Sequence, residues 1–488
     1  MLKKFISDSL VYSIPTFISR GLAIILVPLY TRVLNPSDYG SLELLTAFGS
    51  IVNITIALEV SQGVARFYPS EPDPDRKIVY ASSAFWFTIV CYSVFSVLML
   101  VLSSDIASLV MGRDGLVHEF QIGIAYIWIN GIFYLVQNQL RWELRSHQSA
   151  IVSLITVVVG AFVSVWFAYF LRWGLMGVLL GGTLSYLLAT ALGLFWLRHS
   201  FQLRFSILQL WEMLRYSTPL VFSSTAVWLS LYIDRIMINN LLSIEELGLY
   251  SIGYRLSSIA ALITVGFQSS LTPLIYTYYQ EPETPLQISR IFRLFLFIAL
   301  SIFLALSVFS QDLVRLLATP DFYDGTKVVV FLVPAFFLAN MYIFAPGINI
   351  AKKTYLSFLI NVISAFVNIL LNYLLIPTFD IRGAAIATLF SNFVSFFLYV
   401  KIGQRYYYIP YKWMKSIVST ALTFSLAILL SNLPYNQSLR WPIIISILYV
   451  FPLSIIRIRL IEYTEISAFI KLLRRQAIYY KQRYISRL

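Results

Sequence analysis

Charged side chains are scarce in this chain. They make up 12% of its 488 residues, about half the share usual in a soluble domain. The deficit runs along the whole length, with 59% hydrophobic residues and a mean hydropathy of +0.77. No stretch reads as a soluble domain or a disordered tract, so the chain reads as an all-α integral membrane protein. Cysteine is nearly absent. The lone Cys91 lies in an apolar run, which excludes an intramolecular disulfide and a cysteine metal site. The three histidines, His118, His147 and His199, fall in or beside loops at unrelated spacings, and no metal site is expected from them. A GxxxxGK[ST] phosphate loop is missing, which excludes ATP binding of that kind. Long polar segments are missing too. That counts against a membrane glycosyltransferase or polymerase, which places its chemistry on long extramembrane loops. Neither a catalytic residue nor a cofactor is expected.

What the chain does have is apolar runs of membrane-spanning length. They predict about fourteen helices, at 9–34, 40–66, 81–103, 119–139, 148–171, 175–197, 216–242, 248–277, 291–310, 328–350, 355–377, 383–403, 413–433 and 440–458. An even number puts both ends on one side. The loops on that side carry Lys3, Lys4, Arg66, Arg76, Lys77, Arg141, Arg145, Arg198, Arg204, Arg215, Arg290, Arg293, Lys352, Lys353, Lys401, Arg405, Lys412 and Lys415, and the tail adds Arg457, Arg459, Lys471, Arg474, Arg475, Lys481, Arg483 and Arg487. The opposite loops hold only Arg32, Arg113, Arg172, Arg315, Lys327, Arg382 and Arg440. By the positive-inside rule both termini are cytoplasmic. The net charge of +13 is then a topology signal and not a nucleic-acid footprint. The tail is expected to lie on anionic lipid.

An internal repeat appears at an offset of about 205. Tyr12-Ser13-Ile14-Pro15 opens the first segment and Tyr216-Ser217-Thr218-Pro219 the seventh. Ser37-Asp38-Tyr39-Gly40 leads into the second and Glu245-Glu246-Leu247-Gly248 into the eighth. Gly177, Gly181 and Ser185 align with Gly383, Ala387 and Ser391. Two six-helix lobes follow, residues 1–210 and 211–408. Two appended helices lie within 409–460, and a basic tail covers 461–488. With substrate held at the repeat interface, such lobes rock about it.

Polar stripes run along the apolar segments. Ser9, Ser13, Thr16 and Arg20 share one helical face, as do Thr55, Glu59, Gln62 and Arg66, and again Asn130, Tyr134, Gln137 and Arg141. Gly248, Ser251, Arg255 and Ser258 form a fourth stripe, and Asn361, Ser364, Asn368 and Asn372 a fifth. Arg20 stands about 15 Å in from the start of its segment, where a charge costs at least about 2.5–3.5 kcal/mol. Such charges imply a polar cavity with a ligand. Arginine suits phosphate, because its planar fork of donors stays charged. Arg20 and Arg255, with Arg141, Asn130, Gln62 and Asn368, are the candidate substrate-binding set. Glu59 and Asp234 are the candidate ion-coupling groups, for H+ or Na+. The structural alternatives are an ion pair of Arg20 or Arg255 with Glu59 or Asp234, interfacial snorkelling of Arg141 and helix packing by Asn368.

Several runs together resemble the Wzx-type polysaccharide flippases of the MOP (multidrug/oligosaccharidyl-lipid/polysaccharide) superfamily. These are Gly248-Leu249-Tyr250-Ser251-Ile252-Gly253-Tyr254-Arg255-Leu256, the upstream Asp234-Arg235 pair, Asn368 to Pro377 followed by Gly383-Ala384-Ala385-Ile386-Ala387-Thr388, and Pro28, Leu34, Asp38, Tyr39 and Gly40. The resemblance implies two six-helix lobes forming a MATE-like V, plus two extra C-terminal helices. It implies alternating access that carries an undecaprenyl-diphosphate-linked oligosaccharide across the bacterial inner membrane, alongside other glycan-assembly membrane proteins. The denser arginine set of the lipid II flippases is missing, so an O-antigen or capsule-type unit fits better. A multidrug/cation antiporter is the rival within the superfamily.

Overall fold

The computed structural model describes residues 25–431 together with Ile18, Gly21 and Leu22. The first polar stripe with Arg20, the segment 440–458 and the basic tail lie outside the described residues. Among the described residues the chain is helical and carries no strand. Ten of the helices are long and apolar enough to cross a membrane, eleven if one bent pair counts as a span.

The elements are α1 (Pro36–Thr55), α2 (Val60–Phe67), α3 (Pro74–Val101), α4 (Ser103–Met111), α5 (Val117–Trp142), α6 (Ser146–Val165), α7 (Gly174–Trp196), α8 (Ile207–Leu241), α9 (Ile244–Ser258), α10 (Ala260–Tyr278), α11 (Thr284–Leu317), α12 (Val329–Asn340), α13 (Thr354–Tyr406) and α14 (Trp413–Ser431). Most boundaries follow local chemistry. The α1 helix opens with a capping box, in which the Asn35 side chain accepts from the Asp38 N–H and the Asp38 side chain from the Asn35 N–H, with Pro36 at the first helical position. The α3 helix opens on Asp73, whose side chain accepts from the Asp75 N–H at 3.1 Å, with Pro74 at the first helical position. The α13 helix is too long for one bilayer crossing. It breaks at Asp380, whose φ of 53° and ψ of −144° are not helical. Gly383 lies against the Leu375 carbonyl, so the chain doubles back there. The separate segments expected at 355–377 and 383–403 are the two arms of that reversal.

Two departures from the sequence reading matter. The segment expected as one helix over 40–66 is broken into α1 and α2, bent by 46°. Leu58 and Glu59 there adopt left-handed φ of 48° and 52°. No glycine or proline marks the break, so composition could not reveal it. Thr55 and Glu59 are also out of helical phase with each other, and the second stripe is not one continuous face. The end of α6 widens into a π-turn, Trp166–Phe170, beyond the regular helix.

Two compact units emerge. Among the described residues the first takes in those up to Arg255, Val314–Gly325 and Ile369–Ala384, the second Leu256–Leu313, Thr326–Asn368 and those from Ala385 on. Residues 211–255 fall in the first because α8 runs down α1 and α2. Trp228 Nε1 donates to the Ala47 carbonyl at 3.0 Å, and a Cβ on Gly63 would stand 2.6 Å from that of Met213. In the second unit Phe292, Phe295, Phe344 and Tyr411 pack as an aromatic cluster with centroids about 5 Å apart. Ile348, Ile360 and Tyr399 form a further core.

The first unit brings the two equivalent openings of the sequence repeat together. A Cβ on Gly40 would lie 2.2 Å from the Ile244 carbonyl oxygen, and one on Gly248 would lie 2.0 Å from the Pro36 oxygen. The starts of α1 and α9 thus cross reciprocally, each glycine admitting the other helix's main chain. Ser37 Oγ donates to Glu245 at 2.8 Å across 208 positions. Arg113 pairs with Asp38 beside the crossing. Only glycine permits an approach this close, the same small-residue logic that joins membrane helices generally.

Candidate functional site

The most concentrated charge in the first unit joins α1, α8 and α9. Glu43 of α1 is buried and accepts from two arginines, Arg235 Nε at 3.2 Å and Arg255 Nη2 at 2.8 Å. Aromatic rings carry the guanidinium faces. Tyr39 lies 4.9 Å from Arg255, and Tyr254 and Tyr232 lie 4.3 and 5.0 Å from Arg235. One carboxylate thus accepts from both guanidiniums. Arg235 is closed in, while the Arg255 side chain keeps 28% of its surface.

Arg255 therefore ion-pairs within the protein, but with neither of the partners expected from sequence. Glu59 and Asp234 were the candidates; Glu43 is the observed one. Sequence reading missed Glu43 because it sits early in its segment, where a charge resembles a helix end. The available signal was its position four residues after Tyr39, on the same helical face.

Asp234 and Arg235 point apart, as neighbours on a helix must. Asp234 is buried and accepts from the Tyr250 hydroxyl at 3.2 Å and from Asn372 Nδ2 at 2.7 Å. Both of these donors are neutral.

A polar ladder continues along α1, α2, α3 and α5. Asn53 Nδ2 donates to Asn130 Oδ1 at 2.6 Å, and the Tyr92 hydroxyl donates to Asn53 Oδ1 at 2.7 Å. Ser50 and Tyr232 share a hydroxyl contact at 3.2 Å. Asn138 Nδ2 donates to Ser61 Oγ at 3.1 Å, and Arg141 Nη1 reaches Asn138 Oδ1 at 3.4 Å. Gln62 and Ser224 reach the Glu59 carboxylate. Glu59, Gln62, Asn130 and Arg141 thus belong to one neighbourhood, with Asn53, Tyr92 and Asn138 as members that the stripes omitted. Arg141 is exposed at the end of α5. Asn368 belongs to the second unit, where its amide meets Ser391 Oγ at 3.5 Å and Ser364 Oγ donates to the Ser391 carbonyl at 2.9 Å. That joins the two arms of α13, the packing role weighed for it.

Chemically, the first unit holds guanidiniums, carboxylates, amides and phenols within apolar helices.

The helices and this polar interior define a multi-pass, all-helical membrane protein with the MOP-superfamily fold. The structure of a "Lipid II flippase MurJ, inward closed conformation" superposes with a TM-score of 0.71 at 16% identity, covering 91% of this chain and 98% of that one. An inward-facing multidrug-resistance MATE transporter superposes with a TM-score of 0.62 at 17% identity, covering 82% and 97%. The family described as "Polysaccharide biosynthesis protein" matches residues 29–279, and the MatE family matches 219–374. The chain belongs to the polysaccharide biosynthesis protein family. Among curated relatives, the probable low-salt glycan biosynthesis flippase Agl15 of Haloferax volcanii is 23% identical over 44% of this chain and 48% of its own length. The capsular polysaccharide biosynthesis protein CapF of Staphylococcus aureus is 26% identical over 38% and 48%. The chain thus spans about half the length of the curated relatives it matches.

Proposed function

We propose that this protein is a flippase that moves undecaprenyl-diphosphate-linked oligosaccharide repeat units from the cytoplasmic to the periplasmic leaflet of a bacterial inner membrane. Both termini are cytoplasmic in this reading, and the lobes 1–210 and 211–408 alternate access without catalysis. The observation that carries it is the pair of arginines, Arg235 and Arg255, gathered on Glu43 inside apolar helices. Guanidiniums in a low-dielectric interior are costly, and their fork matches diphosphate oxygens. Arg255, the less enclosed of the two arginines, together with Arg20, meets the diphosphate. The amides and phenols of Asn53, Asn130, Tyr134 and Gln62 meet sugar hydroxyls. Glu59 and Asp234 serve coupling to H+ or Na+. Anionic lipids hold the basic tail.

Against the rival, a multidrug/cation antiporter, stand Arg235 and Arg255, whose guanidiniums repel a cationic solute. A deletion strain tests the reading. Lipid-linked repeat units should accumulate facing the cytoplasm, and wild-type protein should clear them while Arg20→Ala and Arg255→Ala, inserted normally, do not. Clearance by both variants would overturn it.

A further inference from the structure

Glu59 is the acid that the anion-recognition reading does not use, and it occupies an unusual place. It stands at the break between α1 and α2, with left-handed φ and ψ of 52° and 31° directly after a left-handed Leu58. Left-handed backbone is strained for a residue that carries a side chain, and neither is glycine. Around the break the main chain uses tight i→i−3 bonds, Leu58 N–H to the Thr55 carbonyl, Val60 N–H to that of Ala57 and Gln62 N–H to that of Glu59. Strain of this kind persists only where surroundings hold it, and it gathers at functional turns.

The groups facing the carboxylate are neutral. Ser224 comes from α8 and Gln62 from α2. The phenols of Tyr92 on α3 and Tyr134 on α5 are the titratable neighbours. Among the described residues Glu59 has no ion pair, and its Oε2 is buried without a hydrogen-bond partner. An ionised carboxylate oxygen cannot be left so in an apolar interior at tolerable cost. A proton on the acid, or a small monovalent cation beside it, removes that cost.

We infer that the Leu58–Glu59 turn is a binding site for a proton or monovalent cation, and that its occupancy holds the helix break. The described geometry is the loaded state: the acid is neutralised and turned inward. When the ion leaves, the naked carboxylate must find water or a cation. The turn that presents it inward then loses its support, and α1 and α2 realign. The α2 helix carries Gly63, packed on Met213 of α8, so realignment moves a helix that α8 grips. The inference deepens the coupling part of the proposed function by naming its site and mechanical output.

The test reads the bend directly and needs no glycan. Spin labels at Thr46→Cys and Ser70→Cys, both exposed, stand about 12 residues either side of the break. Straightening a 46° bend between arms of about 18 Å lengthens their separation by about 3 Å. In nanodiscs, the purified full chain at acid pH should show the short distance. At alkaline pH without sodium or potassium it should show the long one. Return of the short distance on adding Na+ at alkaline pH identifies a metal cation; return only on acidification identifies a proton. Glu59→Gln, which mimics the neutral acid, should hold the short distance throughout, and Glu59→Asp should retain switching with a shifted midpoint. An identical distance under all conditions in the wild type, or switching in Glu59→Gln equal to wild type, overturns the inference. Failure of the glycan assay with successful switching would discard the substrate and keep the ion site.

Discussion

Removing the charge of Glu43 should damage the protein far more than removing that of Arg255, although the two share one hydrogen bond. Glu43→Gln keeps the side-chain shape and one acceptor oxygen, but it removes the negative charge that both guanidiniums share. Arg235 keeps only 7% of its side-chain surface, so water cannot relieve it. Breaking a buried ion pair by deleting one partner costs about 3–5 kcal/mol, and Arg235 sets this cost. Arg255→Gln instead leaves Glu43 and Arg235 as a complete one-to-one pair. Because Arg255 is 28% exposed, its loss is discounted to about 1 kcal/mol. The expected gap is about 2–4 kcal/mol, or roughly two decades in the folded-to-unfolded ratio. The double variant Glu43→Gln/Arg235→Gln should be less destabilised than the sum of the singles, because each removes the other's orphaned charge. Reversible unfolding of the purified protein in mixed micelles, followed by tryptophan emission, gives all four stabilities. If Glu43→Gln proves no worse than Arg255→Gln, the two arginines do not depend on that carboxylate and the cluster is misread.

The reciprocal crossing of α1 and α9 makes a separate prediction. Gly248→Ala places a methyl 2.0 Å from a main-chain oxygen that no rotamer change can move. The helices must separate, and oxidative cross-linking between Ser37→Cys and Glu245→Cys, efficient in the parent, should fall several-fold; undiminished cross-linking would refute the close approach. Deleting Lys471 to Arg487 should leave the topology unchanged, as read by reporter fusions at the loops, because the positive-inside bias of the earlier loops already orients the chain; an inverted or mixed topology would show otherwise.

Much of this was legible along the chain. Membrane-spanning runs and the chain reversal between the segments expected at 355–377 and 383–403 follow from hydropathy, and the two repeat openings from internal similarity, all local or periodic signals; that the openings cross was not legible. Glu59, Gln62, Asn130 and Arg141 were recognisable because polar residues in apolar segments are conspicuous. The packing role weighed for Asn368 likewise follows from small polar residues on facing helices.

What the sequence determined by itself is membrane class, helix placement and the presence of costly interior charges, because water-to-lipid transfer acts on each segment separately. What only the tertiary structure decided is which charges meet. Glu43, Arg235 and Arg255 come together from helices up to 212 positions apart, and the break at Leu58–Glu59 has no helix-breaking residue to announce it. Ion pairing and backbone strain depend on distances set by neighbouring helices, and those distances exist only once the helices have packed.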